Sequence, residues 1–234
     1  MYQAVLFDLD NTLLNYSYSE IDCMRRTLRD HRLLYEEQDG WNAFWEAFSR
    51  HNAKHWFDFV EKRGPHRSIR DVLFRSFQDT LQLSSDDCER LSATYWDYFC
   101  HTCHFESGAE EILLRLRPRF KLGIISNGIG EAQGKRLAAG NVREIFQTVV
   151  VSDEAGVRKP RKEIFDIALQ EMRLDRREVV FVGDSLTDDY AGARNAGIDF
   201  CFYNNRNAAM PGGVAPDYVI RELQELTSVI GLNS

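Results

Sequence analysis

Short apolar runs alternate with amphipathic stretches through most of this chain. Runs of this kind occupy residues 3–7, 121–126, 148–152, 178–183 and 200–203. Uninterrupted apolar runs are typical of strands that are buried on both faces. Between the later runs, apolar residues recur with helical spacing at 130–139, 161–172 and 186–195. Because strand and helix alternate, the pattern predicts an α/β fold with a parallel sheet.

Residues 15–105 follow a different pattern and are predicted to form a helical insert. Apolar positions recur there at intervals of three and four residues, and no convincing strand pattern is present. The spacing predicts four helices, at 19–33, 38–59, 68–81 and 85–101. We expect most aromatic side chains of the insert to pack in its core, and one or two to face a substrate. The predicted core domain then comprises residues 1–14 and 106–234.

Two acidic residues follow the first predicted strand directly, in the string Asp-Leu-Asp-Asn-Thr at residues 8–12. A carboxylate fixed at the end of a strand is well placed for in-line attack on a phosphorus atom, and we predict this role for Asp8. Asp10 lies close enough in the chain to protonate the leaving oxygen and then to activate water. The pair predicts phosphoryl transfer through an aspartyl phosphate.

A divalent cation is expected beside these acids, because adjacent carboxylates repel each other and repel a phosphate dianion. Mg2+ prefers hard oxygen ligands and keeps several waters. Asp184 ends another predicted strand, and we predict that it binds Mg2+ together with Asp8 and the main-chain carbonyl of Asp10. Of the two acids that follow, we expect Asp189 to support the metal or a lysine without binding the ion. Asp188 is an alternative for that role, or it begins the following helix.

Phosphate-binding groups are predicted after later strands of the core. Ser126 and Asn127 end one strand, and Gly128 permits a turn in which their side chains and backbone N–H groups hold phosphate oxygens. Lys159 precedes a proline that is expected to start a helix. We predict that this lysine neutralises charge on the transition state and on the nucleophile. Taken singly these are ordinary turn or surface residues; their order after successive strands points to one phosphate site.

Composition and charge narrow the range of partners. The formal net charge of −7 argues against binding to a nucleic-acid polymer, although a small anion can still bind a locally positive site. The first apolar segment is too short for a secretory signal, and no run approaches the roughly 20 apolar residues of a membrane helix. We therefore expect a soluble cytoplasmic protein that acts on a small phosphorylated metabolite and does not bind a membrane.

The cysteines favour the same compartment. There are five, an odd number scattered along the chain, which fits reduced thiols better than a disulfide framework. Cys100 and Cys103 form a CxxC string, and histidines lie next to it. Such a string is typical of metal or redox sites. No second pair with zinc-ligand spacing accompanies them, so we predict the end of a helix with unreactive thiols.

The motifs together resemble the haloacid dehalogenase (HAD) superfamily. That superfamily has, in this order, DxDxT, a Ser or Thr at a strand end, a Lys and GDxxxxD; the corresponding positions here are 8–12, Ser126, Lys159 and 183–189. The helical insert, placed directly after the first motif, is similar to the family's first-type (C1) cap. The resemblance implies a Rossmann-like parallel-sheet core with an inserted four-helix cap, and Mg2+-dependent hydrolysis.

Shorter strings resemble one branch of the superfamily, the YjjG/YfnB-type pyrimidine 5'-nucleotidases. They include Asn127-Gly128, Gln133, Arg136 and the segments 152–157 and 164–166. This resemblance implies that the substrates are nucleoside 5'-monophosphates. The N-acylneuraminate 9-phosphate phosphatases share several of the same strings, so a sugar-phosphate phosphatase is the alternative. Specificity depends on the insert, whereas the chemistry depends on the core.

Three other functions use similar residues. A 2-haloacid dehalogenase uses the same carboxylate to attack carbon without a metal, and Asp10 speaks against it. A phosphomutase would move phosphate to a new hydroxyl and release none. A binding module that had lost turnover is disfavoured because every reactive group is retained.

Overall fold

The computed structural model describes residues 2–33 and 37–232 and divides the chain into two compact units. The first unit contains the residues up to Tyr18 and those from Cys103 onward. The second unit is Ser19–Thr102. The sequence pattern predicts these boundaries at 14/15 and 105/106. No helix in the described parts of the chain is long and apolar enough to cross a bilayer.

The first unit is built on a six-stranded sheet in which every pair of neighbouring strands is parallel. The strands are β1 Ala4–Phe7, β2 Lys121–Ser126, β3 Thr148–Val151, β4 Val179–Gly183, β5 Asp199–Tyr203 and β6 Tyr218–Ile220. Their order in the sheet is β3-β2-β1-β4-β5-β6. The predicted parallel α/β fold is confirmed, and β6 is an addition that the sequence pattern did not predict.

In the described part of the chain, four α-helices make up most of the insert, and six further α-helices lie between or after the strands of the sheet. Those of the insert are α1 Tyr16–Asp30, α2 Gln38–Val60, α3 Ile69–Leu81 and α4 Ser85–Cys100. Those that follow are α5 Ala109–Leu116, α6 Gly130–Ala139, α7 Ser152–Ala155, α8 Glu163–Met172, α9 Ala191–Ala196 and α10 Leu226–Val229. The four predicted helices of the insert are present, with ends that differ by a few residues. Pro160 does not start a helix as expected, because α8 begins only at Glu163.

The sheet is covered on both faces, as the apolar strands predict. Side chains of a strand alternate between the two faces, so Val5 and Phe7 pack in one apolar cluster with residues of α5. Ala4 and Leu6 pack in a second cluster with residues of α8 and α9. All four side chains of β1 are fully buried. The central strand β1 is therefore held from both sides, and Asp8 follows it immediately.

The second unit has an aromatic core. Phe48 of α2 lies at its centre, with its ring centroid 5.0 Å from that of Phe77 and 6.3 Å from that of Tyr95. These rings belong to α2, α3 and α4, so one cluster joins three helices of the unit. At the start of α3, Ser68 accepts a hydrogen bond from the N–H of Asp71, whose side chain accepts from the N–H of Ser68. This reciprocal cap fixes where α3 begins.

Candidate functional site

A cleft of about 150 Å3 opens at the carboxyl ends of the central strands of the sheet. Its walls are formed by residues that follow β1, β2 and β4, together with the segment before α8. The lining residues are Asp8, Asp10, Ser126, Asn127, Lys159, Asp184, Ser185, Asp188 and Asp189. All the site residues predicted from the sequence thus lie around one cleft. Parallel strands end at the same edge of a sheet, which is why motifs far apart in the chain meet here.

The ammonium group of Lys159 lies at the buried end of the cleft and contacts three oxygens: it donates hydrogen bonds to Asp8 and to the Ile125 carbonyl, and it forms an ion pair with Asp189. It is 2.5 Å from Asp8 Oδ1, 2.7 Å from Asp189 Oδ1 and 2.9 Å from the carbonyl of Ile125. Burial alone would lower the pKa of Lys159, but the carboxylates of Asp189 and Asp8 outweigh this effect and raise the pKa above its ordinary value. The lysine is therefore charged and has a fixed direction.

Asp8 is buried among like charges. Burial raises the pKa of this carboxyl group above its ordinary value, Lys159 opposes the shift, and Asp189 and Asp184 add to it. Its second oxygen, Oδ2, accepts a hydrogen bond from the hydroxyl of Thr12 at 3.3 Å. Lys159 does not by itself neutralise this group of acids. The site therefore favours a further cation next to Asp8.

Asp184 and Asp189 complete that group of acids. Burial, and then the charge of Asp189, raise the pKa of Asp184 to about 6. The guanidinium of Arg206 lies 3.9 Å from Asp184 Oδ2 at the more exposed side of the site. Asp8, Asp184 and Asp189 each offer a carboxylate oxygen, and these oxygens lie within 4.8 Å of one another. Closely spaced hard oxygen donors that carry excess negative charge suit Mg2+.

The two consecutive acids after β4 have different environments. Residues Leu186–Tyr190 form one wide helical turn, which turns Asp189 back toward the strand. Asp189 is 1% exposed and its Oδ2 accepts from the N–H of Ser185 at 3.0 Å. A Cβ on Gly183 would lie 2.4 Å from that same oxygen, so only glycine leaves room for it. Asp188 instead accepts a hydrogen bond from Asn127 Nδ2 at 3.2 Å.

Asn127 uses both ends of its amide within the protein. Its Oδ1 accepts from the N–H of Lys159 at 2.8 Å, and its Nδ2 donates to the Lys159 carbonyl at 3.0 Å as well as to Asp188. The side chain thus pairs with the main chain of Lys159 almost as a neighbouring strand would. Ser126 is buried, and its hydroxyl oxygen accepts from Gln133 Nε2 at 3.0 Å.

Two residues of α6 hold Asp10, and the sequence pattern did not predict a role in the site for either of them. Arg136 Nη1 donates to Asp10 Oδ1 at 2.6 Å, and Gln133 Nε2 donates to Asp10 Oδ2 at 2.7 Å. Arg136 also donates to Gln133 Oε1 at 2.9 Å, and its side chain is fully buried. The two residues are three positions apart and so share one face of the helix. The sequence did contain a signal for this role. Arg136 lies on the face of the helix that otherwise carries core residues, and a buried guanidinium needs a charged or polar partner.

The CxxC string has no place in this site. Cys103 is partly buried, and burial raises the pKa of its thiol to about 11. A thiol with such a pKa stays protonated near neutral pH, whereas metal ligation and thiol chemistry use the thiolate. Among the described residues, no group of potential metal ligands includes either cysteine of the string.

Comparison with known proteins agrees with the fold and the motifs. The chain is 28% identical over 227 residues to the pyrimidine 5'-nucleotidase YjjG of Escherichia coli, covering 97% of this chain and 96% of that protein. It is 32% identical over 239 residues to a glyceraldehyde 3-phosphate phosphatase of Methanocaldococcus jannaschii, covering 98% and 97%. A crystal structure of the putative HAD-hydrolase YfnB of Bacillus subtilis, bound to magnesium, superposes with a TM-score of 0.79 at 26% identity, covering 98% of each chain.

The sequence profile of the haloacid dehalogenase-like hydrolases matches residues 5–203, from the first strand to the last residue of β5. This range includes every residue that lines the cleft. The chain belongs to the haloacid dehalogenase-like hydrolase family.

Proposed function

We propose that this protein is a Mg2+-dependent phosphomonoester hydrolase that forms an aspartyl phosphate on Asp8 and acts on nucleoside 5'-monophosphates. One observation carries the proposal: the charged Lys159 forms ion pairs with Asp8 and Asp189 at the buried end of a cleft whose other lining residues are acids, serines and Asn127. A carboxylate held in this way points one oxygen in a fixed direction, as in-line attack requires.

Asp8 and Asp10 perform the two chemical steps in this proposal. A carboxylate oxygen of Asp8 attacks the phosphorus atom, and the bond from phosphorus to the ester oxygen breaks. Asp10 gives its proton to that leaving oxygen, which departs as the nucleoside hydroxyl. Asp10 then takes a proton from a water molecule that attacks the phosphorus of the aspartyl phosphate. The bond from phosphorus to the Asp8 oxygen breaks, inorganic phosphate leaves, Asp8 is again a carboxylate and Asp10 is again protonated.

The remaining residues position these groups. We assign Asp8, Asp184 and the main-chain carbonyl of Asp10 as the protein ligands of Mg2+. When bound, the ion supplies positive charge that offsets the charge of the phosphoryl oxygens. Ser126 and Lys159 contact the phosphoryl group. We retain Asn127 as a residue of the phosphate site, with the added role of holding the Lys159 main chain, and Asp189 orients the lysine without binding the ion.

The names of the relatives support a phosphatase and leave two classes of substrate to test. We propose a nucleoside 5'-monophosphate, with a sugar phosphate as the alternative. The experiment measures phosphate release from UMP, dUMP, dTMP, N-acylneuraminate 9-phosphate and glyceraldehyde 3-phosphate, with Mg2+ and with EDTA. The highest kcat/KM on a pyrimidine nucleotide, abolished by EDTA, is the expected result. Metal-independent turnover would contradict the mechanism. Chloride release from 2-chloropropionate without phosphatase activity would identify a dehalogenase.

Replacing Arg136 is expected to lower kcat while KM changes little, because Arg136 fixes Asp10 and not the substrate. For Arg136→Met we expect a loss of about 10- to 100-fold in kcat, the size of effect that a small misplacement of a reacting group produces. Steady-state phosphate release measures it, and Arg136→Lys should restore part of the loss. Lys135→Met, one position away on the exposed face of α6, is the control. An unchanged kcat in Arg136→Met would mean that Asp10 does not depend on this contact.

Mg2+ binding is expected to weaken as the pH falls through about 6. Asp184 takes up a proton there in the metal-free protein, and a protonated carboxyl group is a poor ligand. Below that pH, the apparent dissociation constant should rise by about tenfold for each pH unit per proton displaced. Calorimetric Mg2+ titrations at pH 5, 6, 7 and 8 test this. An affinity that does not change between pH 5 and 7 would remove Asp184 from the proposed ligands.

A further inference from the structure

A second group of potential metal ligands lies in the helical unit, in residues that the proposed phosphatase chemistry does not use. His55 and Asp58 belong to the last turns of α2, three positions apart and hence on one face of the helix. His66 belongs to the connection between α2 and α3. Each of the three side chains offers one ligand atom, and these atoms lie within 4.8 Å of one another.

The two imidazole rings meet with their nitrogens facing each other. His55 Nδ1 lies 3.2 Å from His66 Nε2, and the rings are nearly perpendicular, with an interplanar angle of 76°. Two nitrogens bound to one tetrahedral Zn2+ at ordinary bond lengths are about 3.3 to 3.4 Å apart. The observed separation is close to that value. The same separation also fits a single proton shared between the rings, and a metal titration distinguishes these two arrangements.

A carboxylate on the next helix orients His55. Asp79 Oδ2 of α3 lies 2.8 Å from His55 Nε2. Because a carboxylate accepts hydrogen bonds, this contact places the proton of a neutral His55 on Nε2 and leaves the lone pair of Nδ1 directed toward His66. Histidine ligands of metals typically donate their other ring N–H to a carboxylate in this way. His55 is 8% exposed and so is shielded from water, whereas Asp58 and His66 are partly exposed.

The connection between α2 and α3, residues 61–68, also packs closely against His66. A Cβ on Gly64 would lie 3.0 Å from His66 Cδ2 and 3.3 Å from Asp58 Cβ. The backbone of Gly64 therefore passes directly beside the cluster. The cluster joins a helix end to the loop that follows it, in a unit that has its own core.

We propose that His55 Nδ1, His66 Nε2 and a carboxylate oxygen of Asp58 bind one Zn2+ ion, with a water molecule as the fourth ligand. Imidazole nitrogen selects Zn2+ and its neighbours in the transition series, whereas Mg2+ prefers the all-oxygen site of the cleft. The bound ion fastens the connection 61–68 to the end of α2. This site is separate in sequence and in ligand type from the proposed Mg2+ site.

The test uses the full-length protein, stripped of metal, in excess Mg2+. Co2+ is the probe because it absorbs strongly in the visible region when it is four-coordinate and weakly when it is six-coordinate among oxygens. We expect one equivalent of Co2+ to give the four-coordinate spectrum and Zn2+ to displace it. His66→Gln should weaken Zn2+ binding at this site by at least about tenfold. His51→Gln, on the same helix and bonded to Thr80 rather than to the cluster, should bind as the unchanged protein does.

A second measurement does not depend on any variant folding. Nitrogen chemical shifts of the histidine rings in the unchanged protein should move on Zn2+ addition at His55 Nδ1 and His66 Nε2. Circular dichroism of His66→Gln serves as the control for folding. The proposal is overturned if the unchanged protein shows no four-coordinate Co2+ spectrum, if the ring shifts do not move, or if folded His66→Gln binds as tightly as the unchanged protein.

Discussion

Replacing Asp8 with asparagine is expected to lower the rate of phosphate release by about four orders of magnitude or more, the scale of loss seen when an enzyme loses its nucleophile. The amide is a poor nucleophile and cannot form the aspartyl phosphate. The volume of the side chain is kept, and Lys159 retains its contacts to Asp189 and to the Ile125 carbonyl. The measurement is phosphate release from the best substrate of the panel at saturating Mg2+.

The stability of this variant should change little. Burial raises the pKa of Asp8, which means that its ionised form is held at a cost in the folded protein, and the neutral amide relieves that cost. Urea unfolding should therefore show a midpoint close to that of the unchanged protein. Asp166→Asn, a partly exposed acid on α8, is the matched control and should keep full activity. Retention of more than about one hundredth of the activity by Asp8→Asn would exclude Asp8 as the nucleophile.

Replacing Lys159 with methionine is expected to reduce both stability and activity. The side chain is 2% exposed, and its removal leaves Asp8 and Asp189 buried without their shared cation. Breaking a buried ion pair from one side typically costs about 3 to 5 kcal/mol in the free energy of unfolding. Urea unfolding followed by circular dichroism, in EDTA, measures the loss. Phosphate release should fall as well, because no other side chain supplies positive charge at the closed end of the cleft among its described lining residues.

The pH dependence separates this electrostatic loss from a loss of packing. Burial already raises the pKa of Asp8, and without Lys159 the effect that opposes this shift is lost, so protonation of Asp8 relieves its repulsion with Asp189 as the pH falls. The difference in unfolding free energy between Lys159→Met and the unchanged protein should therefore be smaller at pH 5 than at pH 8. Lys162→Met removes an exposed lysine three residues away, and it should change neither the free energy of unfolding nor the rate of phosphate release. A loss below about 1 kcal/mol at pH 8 would show that Lys159 does not carry this charge balance.

The strands with strong apolar patterns could be predicted from the sequence, and the weak ones could not. β1, β2 and β4 are fully or almost fully buried, so their composition alone marks them. β6 has three residues at the edge of the sheet, and one of them, Val219, is 44% exposed. β6 is a strand because it pairs with β5, and its own three residues do not specify that conformation. The short α5 is defined by the apolar cluster it shares with β1.

In the site too, some features follow from the sequence pattern and others depend on how the chain packs. The sequence predicts that residues after successive strands converge, because that follows from parallel topology. The sequence favoured Asp189 over Asp188 for a supporting role, but it did not show what brings that side chain to Lys159. The wide turn at Leu186–Tyr190 does so. Gln133 and Arg136 also lie more than a hundred residues from Asp10 along the chain.

The sequence by itself determined the α/β class, the helical insert, the family resemblance and the set of residues around the cleft. These depend on periodicity and on motifs at strand ends, which are local properties of the chain. The pairing of Lys159 with Asp8 was also predicted, but only the tertiary structure decided the other partners of the charged groups: Asp189 with Lys159, Asp10 with Arg136, and His55 with His66. A buried charge is stabilised by whichever group the folded chain brings within hydrogen-bond distance, and that distance is set by the packing of helices on the sheet or on each other.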